Sequence, residues 1–121
     1  KTLENGRYEL DKLFGIVKWQ EPIIDNIQGV KVQFGYDSCG ICYELVAPHM
    51  KVNPVDNVLR QGKNILNHVA YKVDNIDEAV RRLQDLNNIL ITGPIKAKAF
   101  DNKKIAFLFT RLRFIIELIE K

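Results

Sequence analysis

Three side chains in this sequence have the types and surroundings of metal ligands. Glu44 and Glu117 each lie within a short apolar stretch rich in β-forming residues, and His68 lies in a third such stretch. A carboxylate in the middle of an apolar strand carries a desolvation penalty unless it is paired or binds a cation. Two carboxylates and an imidazole suit a divalent ion such as Zn²⁺, Ni²⁺, Co²⁺ or Mn²⁺. These three residues are therefore candidate ligands of one metal ion.

The two glutamates occupy equivalent positions of an internal repeat. Positions 44 and 117 are 73 residues apart, and the stretch KVQF at 31–34 returns at the same spacing as KIAF at 104–107. Two copies are too few for a solenoid, so the repeat predicts one domain built from two modules. Each glutamate taken alone is equally well explained by a solvent-facing position, since half of a strand's residues point outward. Their equivalence favours a shared role in metal binding or catalysis.

The second module has the sequence pattern of a βαβββ unit. Asn75 or Asp74 supplies a helix N-cap, and acidic residues follow in the first turn. The predicted elements are a strand over 65–73, a helix over 76–86, a strand over 89–91, a turn at Gly93-Pro94, and strands over 104–109 and 114–119. This order places His68 on the first strand and Glu117 on the last.

The first module has the same pattern without its first strand. The predicted elements are a helix over 2–14 capped by Gly15, and strands over 16–24, 30–36 and 41–46. Glu44 then lies on the last strand, as Glu117 does. The counterpart of His68 falls upstream of Lys1. We therefore expect the first strand of module one, and a fourth ligand on it, to precede this sequence.

Length and composition indicate a single globular domain over residues 1–121. We divide it into a first module at 1–47, a linker at 48–63 and a second module at 64–121. Hydrophobic residues make up 46% and charged residues 27%, and no apolar run is long enough to span a bilayer. No signal-peptide pattern opens the chain, which favours a cytoplasmic location. A net charge of +3 with scattered lysines argues against nucleic-acid binding.

Cys39 and Cys42 have the spacing of a redox motif or of half a zinc site. They lie in a predicted hairpin turn, without a helix start and without a second cysteine pair. Both kinds of site need that context. We therefore expect two reduced thiols at a turn.

Several stretches carry a resemblance to a known family. The most specific string is HVAYKVDNID at 68–77, and the others are ELVAP at 44–48, NPV at 53–55, IAFL at 105–108 and IEL at 116–118. In this order, and over nearly the whole chain, they resemble the vicinal-oxygen-chelate superfamily, in particular its glyoxalases and methylmalonyl-CoA epimerases. The resemblance implies an α+β fold in which paired βαβββ modules form a curved mixed sheet around a divalent metal ion.

The resemblance also implies roles for individual residues. Metal ligands in that superfamily come from the first and last strand of each module, which makes Glu44, His68 and Glu117 ligands and places a histidine before Lys1. Glu117 is also the candidate catalytic base. The implied protein is a homodimer and a glyoxalase-like lyase or isomerase, which shifts a proton next to a metal-polarised carbonyl of a small molecule or thioester. The alternative is a non-catalytic small-molecule-binding protein of the bleomycin-resistance type, which has less need of all three ligands.

One position departs from the pattern of methylmalonyl-CoA epimerases. In those enzymes the strand after a Gln-Gly-Val turn carries a glutamate that is one of two opposed bases. Here Gln28-Gly29-Val30 matches the turn, but the corresponding position is Val32. Epimerisation needs a proton-transfer group on each face of the carbanion, and valine transfers no proton. Methylmalonyl-CoA epimerase is therefore disfavoured, and a proton shift by one base is favoured.

Overall fold

The computed structural model describes residues 2–62 and 66–121. The chain divides into two compact units, 1–65 and 66–121. Each unit contains one half of the internal repeat. The grouping of both modules into a single domain stays a prediction from the sequence.

In the first unit one helix packs on an antiparallel sheet. Its elements are α1 (Leu3–Phe14), β1 (Lys18–Trp19), β2 (Ile23–Asp25), β3 (Val30–Tyr36), β4 (Cys42–Pro48) and α2 (Asp56–Arg60). The central strand β3 pairs with β1 and β2 on one side and with β4 on the other. Helix α1 begins after Thr2, whose hydroxyl accepts a hydrogen bond from the backbone N–H of Asn5, and ends at Gly15 in the left-handed conformation.

Helix α1 covers only one face of strand β4. Phe14 stacks on Tyr43 with the ring centroids 4.9 Å apart. Leu45, two residues after Tyr43 in β4, packs against Gly6 of the helix. A Cβ added to Gly6 would lie 2.9 Å from Leu45 Cδ2. Because successive residues of a strand point to opposite faces, Glu44 lies on the face that α1 leaves uncovered.

The second unit has the predicted βαβββ order. Its elements are β5 (His68–Val73), α3 (Ile76–Asp85), β6 (Ile89–Ala97), a 3₁₀ turn (Lys98–Phe100), β7 (Lys103–Phe109) and β8 (Ile115–Glu120). The strands are arranged β5-β8-β7-β6, with β5 parallel to β8 and the other pairs antiparallel. The side chain of Asn75 accepts a hydrogen bond from the N–H of Glu78 and so caps α3, as predicted.

The core of the second unit lies between α3 and one face of its sheet. It consists of the buried residues Ile76, Val80, Ala106, Leu108, Ile116 and Leu118. Glu117 lies between Ile116 and Leu118 in β8, so its side chain points to the opposite face. A second, smaller cluster on that opposite face contains Ala97, Ile105 and Ile119.

The ladder registers of the two units repeat at the spacing seen in the sequence. In the first unit Glu44 of β4 is the register partner of Phe34 in β3. In the second unit Glu117 of β8 is the register partner of Phe107 in β7. All four positions are related by the same shift of 73 residues. The α+β fold with two equivalent modules is therefore confirmed, and the equivalence extends to individual strand pairs.

The predicted turn at Gly93-Pro94 is wrong, because β6 continues through these residues to Ala97. The ladder between β6 and β7 accommodates them by two register shifts between Leu90 and Ile95. Gly93 adopts φ +98°, and a Cβ at this position would overlap the carbonyl oxygen of Ile105. Glycine is therefore needed for close backbone contact inside the sheet, whereas the sequence suggested a chain reversal.

The remaining boundaries differ in detail. The strand predicted over 16–24 is split at Pro22 into β1 and β2, since proline has no N–H to donate to the ladder. Helix α2, at Asp56–Arg60, lies within the segment 48–63 that we assigned as a linker. The predicted start of the first strand of module two, at residue 65, lies outside the described residues.

Candidate metal centre

His68 and Glu117 are brought together by the parallel pairing of β5 and β8. The register partner of Glu117 is Ala70, two residues after His68, so all three residues share one face of the sheet. Nε2 of His68 lies 3.2 Å from Oε2 of Glu117. The side chains are 18% and 2% exposed, so the carboxylate is almost fully removed from water. This face is the one opposite α3.

The other ring nitrogen of His68 contacts a residue that we did not predict. Nδ1 lies 3.0 Å from Oδ1 of Asn67, the residue immediately before β5. An amide oxygen only accepts hydrogen bonds, so Nδ1 carries the proton in this arrangement. In the neutral form of this tautomer, the lone pair of Nε2 faces Glu117. The sequence signal for this contact was an asparagine directly before the candidate histidine, a pattern too common to be noticed without the geometry.

Apolar groups surround the pair on its own strand face. The ring of Phe107 lies edge-on to the imidazole of His68, with the centroids 5.3 Å apart and the planes at 82°. Ile105 lies two residues before Phe107 in β7, and Ile119 lies two residues after Glu117 in β8. Both are buried on the same face as the pair. These groups lower the local dielectric, which strengthens the attraction between the carboxylate and any cation bound beside it.

Glu44 lies in the first unit on the face of β4 opposite α1, and its side chain is half-buried. Its register partner Phe34 is 7% exposed, and Val32, which lies on the same face of β3, is 3% exposed. The surroundings of Glu44 within its unit therefore repeat those of Glu117 in the other, with an aromatic ring directly opposite each carboxylate. The association of Glu44 with the other two residues stays a prediction.

The donor set of the second unit fits a divalent metal ion. With Nδ1 protonated, the facing atoms Nε2 of His68 and Oε2 of Glu117 are both electron-pair donors at 3.2 Å. Two such atoms attract each other only through a cation between them, either a proton or a metal ion. An imidazole held by an acceptor on its other nitrogen is the usual arrangement of a metal-binding histidine. The chemistry of imidazole and carboxylate together suits a borderline ion such as zinc.

Cys39 and Cys42 are both exposed and are not joined in a disulfide. Within the described part of the chain, no helix has the length and apolar character needed to cross a membrane.

Comparison with protein families gives one match. Residues 1–107 match the model of a family described as the Glyoxalase/Bleomycin resistance protein/Dioxygenase superfamily. No curated protein matches the chain in sequence.

Several solved structures share the fold. A methylmalonyl-CoA epimerase from Mycobacterium tuberculosis superposes with a TM-score of 0.81 at 19% identity, over 98% of this chain and 80% of that one. A hypothetical protein from Bacillus halodurans gives 0.82 at 19% identity, over 100% and 86%. A methylmalonyl-CoA epimerase from Streptomyces coelicolor in complex with 2-nitronate-propionyl-CoA gives 0.76 at 15% identity, over 98% and 88%. At these identities the likeness shows the fold alone, which is that of the vicinal-oxygen-chelate proteins.

Proposed function

The chain belongs to the Glyoxalase/Bleomycin resistance protein/Dioxygenase superfamily, and we propose that it is a metal-dependent lyase or isomerase. It would shift a proton next to a carbonyl of a small molecule or thioester. The observation that carries this proposal is the 3.2 Å approach of His68 Nε2 to the buried Oε2 of Glu117. The contact of Asn67 with the other ring nitrogen supports it, because it leaves Nε2 as the donor atom.

We propose that Glu44, His68 and Glu117 hold the ion. The support for Glu44 is its register opposite Phe34, which repeats the register of Glu117 opposite Phe107. Zn²⁺, Ni²⁺, Co²⁺ and Mn²⁺ all accept this mixture of imidazole and carboxylates. When bound, such an ion supplies Lewis-acid polarisation of a carbonyl oxygen, which acidifies the neighbouring C–H.

Glu117 is the proposed base. A carboxylate has two oxygens, so one remains to accept a proton while the other faces His68. On an α-hydroxycarbonyl substrate the carboxylate removes the C–H proton of the hydroxyl-bearing carbon and returns it to the former carbonyl carbon, while the hydroxyl proton passes to the former carbonyl oxygen, so that no net proton is gained or lost. Phe107, Ile105 and Ile119 keep water from this face of the sheet and so protect the proton in transit.

Epimerisation of methylmalonyl-CoA is disfavoured within this proposal. A second base on the opposite side of the carbanion is required for inversion. Val32 occupies the position at which the resembled epimerases carry that glutamate, and it is buried on the same face of the first sheet as Glu44. A shift that uses one base needs no group at position 32.

A homodimer is also part of the proposal. Among the residues that the structure describes, β4 has β3 as its one partner within its unit, and β5 has β8. Strands with one unpaired side are commonly covered by another element or another chain.

Metal content after purification tests the proposal most simply. The protein would be isolated without added chelator, and its zinc, nickel, cobalt and manganese would be measured by mass spectrometry. The proposal predicts about one bound divalent ion per chain and its loss in the His68→Gln variant. Wild-type protein without metal, which also fails to take up any of the four ions on dialysis, would favour the non-catalytic, ligand-binding alternative.

A further inference from the structure

The hairpin between β7 and β8 holds an arginine in an unfavourable backbone conformation. Arg113 has φ +66°, in the left-handed region. Its N–H donates to the carbonyl of Thr110 at 2.9 Å, and the N–H of Thr110 donates to the carbonyl of Phe114 at 3.0 Å. Both hydrogen bonds of this turn form with residue 113 in the left-handed conformation.

The equivalent turn of the first unit contains glycine at this position. Gly40 has φ +82°, its N–H donates to the carbonyl of Asp37, and the N–H of Asp37 donates to the carbonyl of Ile41. Each of these residues is 73 positions before its counterpart, so the two hairpins are the same turn. Glycine adopts the left-handed region without steric cost, whereas a residue with a Cβ does not.

Arg113 is an exception among the non-glycine residues with positive φ. The others within the described residues are Asn87, Asp101 and Asn102. Asparagine and aspartate visit the left-handed region readily because their short polar side chains bond to the local backbone. An arginine gains nothing of this kind. Glycine at position 113 would remove this conformational strain. The presence of an arginine there instead indicates that its side chain has a function.

The position of Arg113 suits contact with a molecule bound at the candidate metal centre. Arg113 lies two residues before Ile115, and the register partner of Ile115 is His68. Two strand residues span about 7 Å, a distance that an extended arginine side chain covers. Its side chain is exposed, and no ion pair holds it within the part of the chain that the structure describes.

We propose that Arg113 binds an oxyanion of the substrate, a carboxylate or a phosphate group, at the His68 end of the second sheet. This inference rests on the proposed function and specifies its substrate class as anionic. The planar guanidinium donates two parallel hydrogen bonds to such a group, which a lysine does not. Placing the guanidinium at the tip of this hairpin requires a residue with a Cβ in the left-handed conformation, which is sterically unfavourable.

The Arg113→Gly variant separates this role from a merely structural one. Removing the strained residue should raise the melting temperature by about 4 °C or more. It should also weaken the binding of malonate or inorganic phosphate, the two probes, by about tenfold or more. Both anions would be titrated into metal-free protein and followed by NMR, which detects millimolar binding. The probe that binds more tightly identifies the carboxylate or the phosphate as the natural group.

Two further variants serve as controls. Arg111→Gly removes the same charge from the same hairpin without a positive φ to relieve, so it should neither stabilise the protein nor weaken binding comparably. Gly40→Arg places the strained residue in the equivalent turn, where an added Cβ meets open space, and should lower the melting temperature. A stabilised Arg113→Gly protein with unchanged anion affinity would overturn the inference, as would failure of wild-type protein to bind either probe. If the wild-type protein bound neither anion but still bound a divalent metal ion, the proposed function would remain intact.

Discussion

Nε2 of His68 lies 3.2 Å from Oε2 of Glu117, although the two residues are not register partners. The partner of Glu117 is Ala70, and that of His68 is Ile115, so the contact runs diagonally across a parallel strand pair. The pairing of the first and last strands of the module thus brings together the donor atoms of two residues that are 49 positions apart in the sequence.

Asn67 should be required for tight metal binding although it is not itself a ligand. Asn67→Leu removes the acceptor that holds the Nδ1 proton of His68, and we expect about tenfold weaker zinc affinity by calorimetry. Asn67→Asp keeps an acceptor and should restore the affinity to within about threefold of wild type. Leu66→Ala, at an exposed neighbouring position, is the control for disturbance of the strand start. Equal affinities for the leucine and aspartate variants would remove Asn67 from the centre.

Val32 should determine whether the protein epimerises. We expect Val32→Glu to gain slow inversion of methylmalonyl-CoA, measured by circular dichroism as loss of the starting configuration. The same change should lower the free energy of unfolding by about 2 kcal/mol or more, because it buries a carboxylate at a position that is 3% exposed. Val46→Glu, at the register partner that is 37% exposed, should cost clearly less. Inversion by the wild-type protein would show that another residue supplies the second base.

Gly93 should tolerate alanine much less well than Gly15 does. Gly15→Ala places a Cβ in open space at φ +60° and should cost about 1 kcal/mol of unfolding free energy. Gly93→Ala adds overlap with the backbone of Ile105 and Ala106 to a similar conformational cost, so we expect about 3 kcal/mol or more. Urea denaturation of both variants measures the difference. Similar costs at the two sites would show that β6 and β7 separate easily at this point.

The protein should be a homodimer in solution. The unpaired sides of β4 and β5 within their units are the physical reason, because exposed strand edges associate. Light scattering at high micromolar concentration should give twice the chain mass of 14.0 kDa. A monomer at that concentration would contradict the expectation.

The sequence predicted the features that depend on periodicity. The repeat spacing anticipated the equivalent placement of Glu44 and Glu117 on the last strands of the two modules, which the registers of β4 with β3 and of β8 with β7 reproduce. It anticipated only the start of β6, since Gly93-Pro94 has the composition of a turn. The close approach of Gly93 to Ile105 shows why these residues stay in a strand. Asn67 was missed because an asparagine directly before a histidine is too common a pattern to indicate a hydrogen bond to a ring nitrogen.

The central claim is that Glu44, His68 and Glu117 bind one divalent ion. Its most direct test is a zinc titration of metal-free wild-type protein beside the variants Glu44→Gln, His68→Gln and Glu117→Gln, each of which keeps polarity while removing a donor atom or its charge. We predict one ion per chain for wild type and affinities at least about tenfold lower for each variant. Wild-type affinity in both His68→Gln and Glu117→Gln would contradict the claim, and the pair would then be a buried imidazolium–carboxylate ion pair.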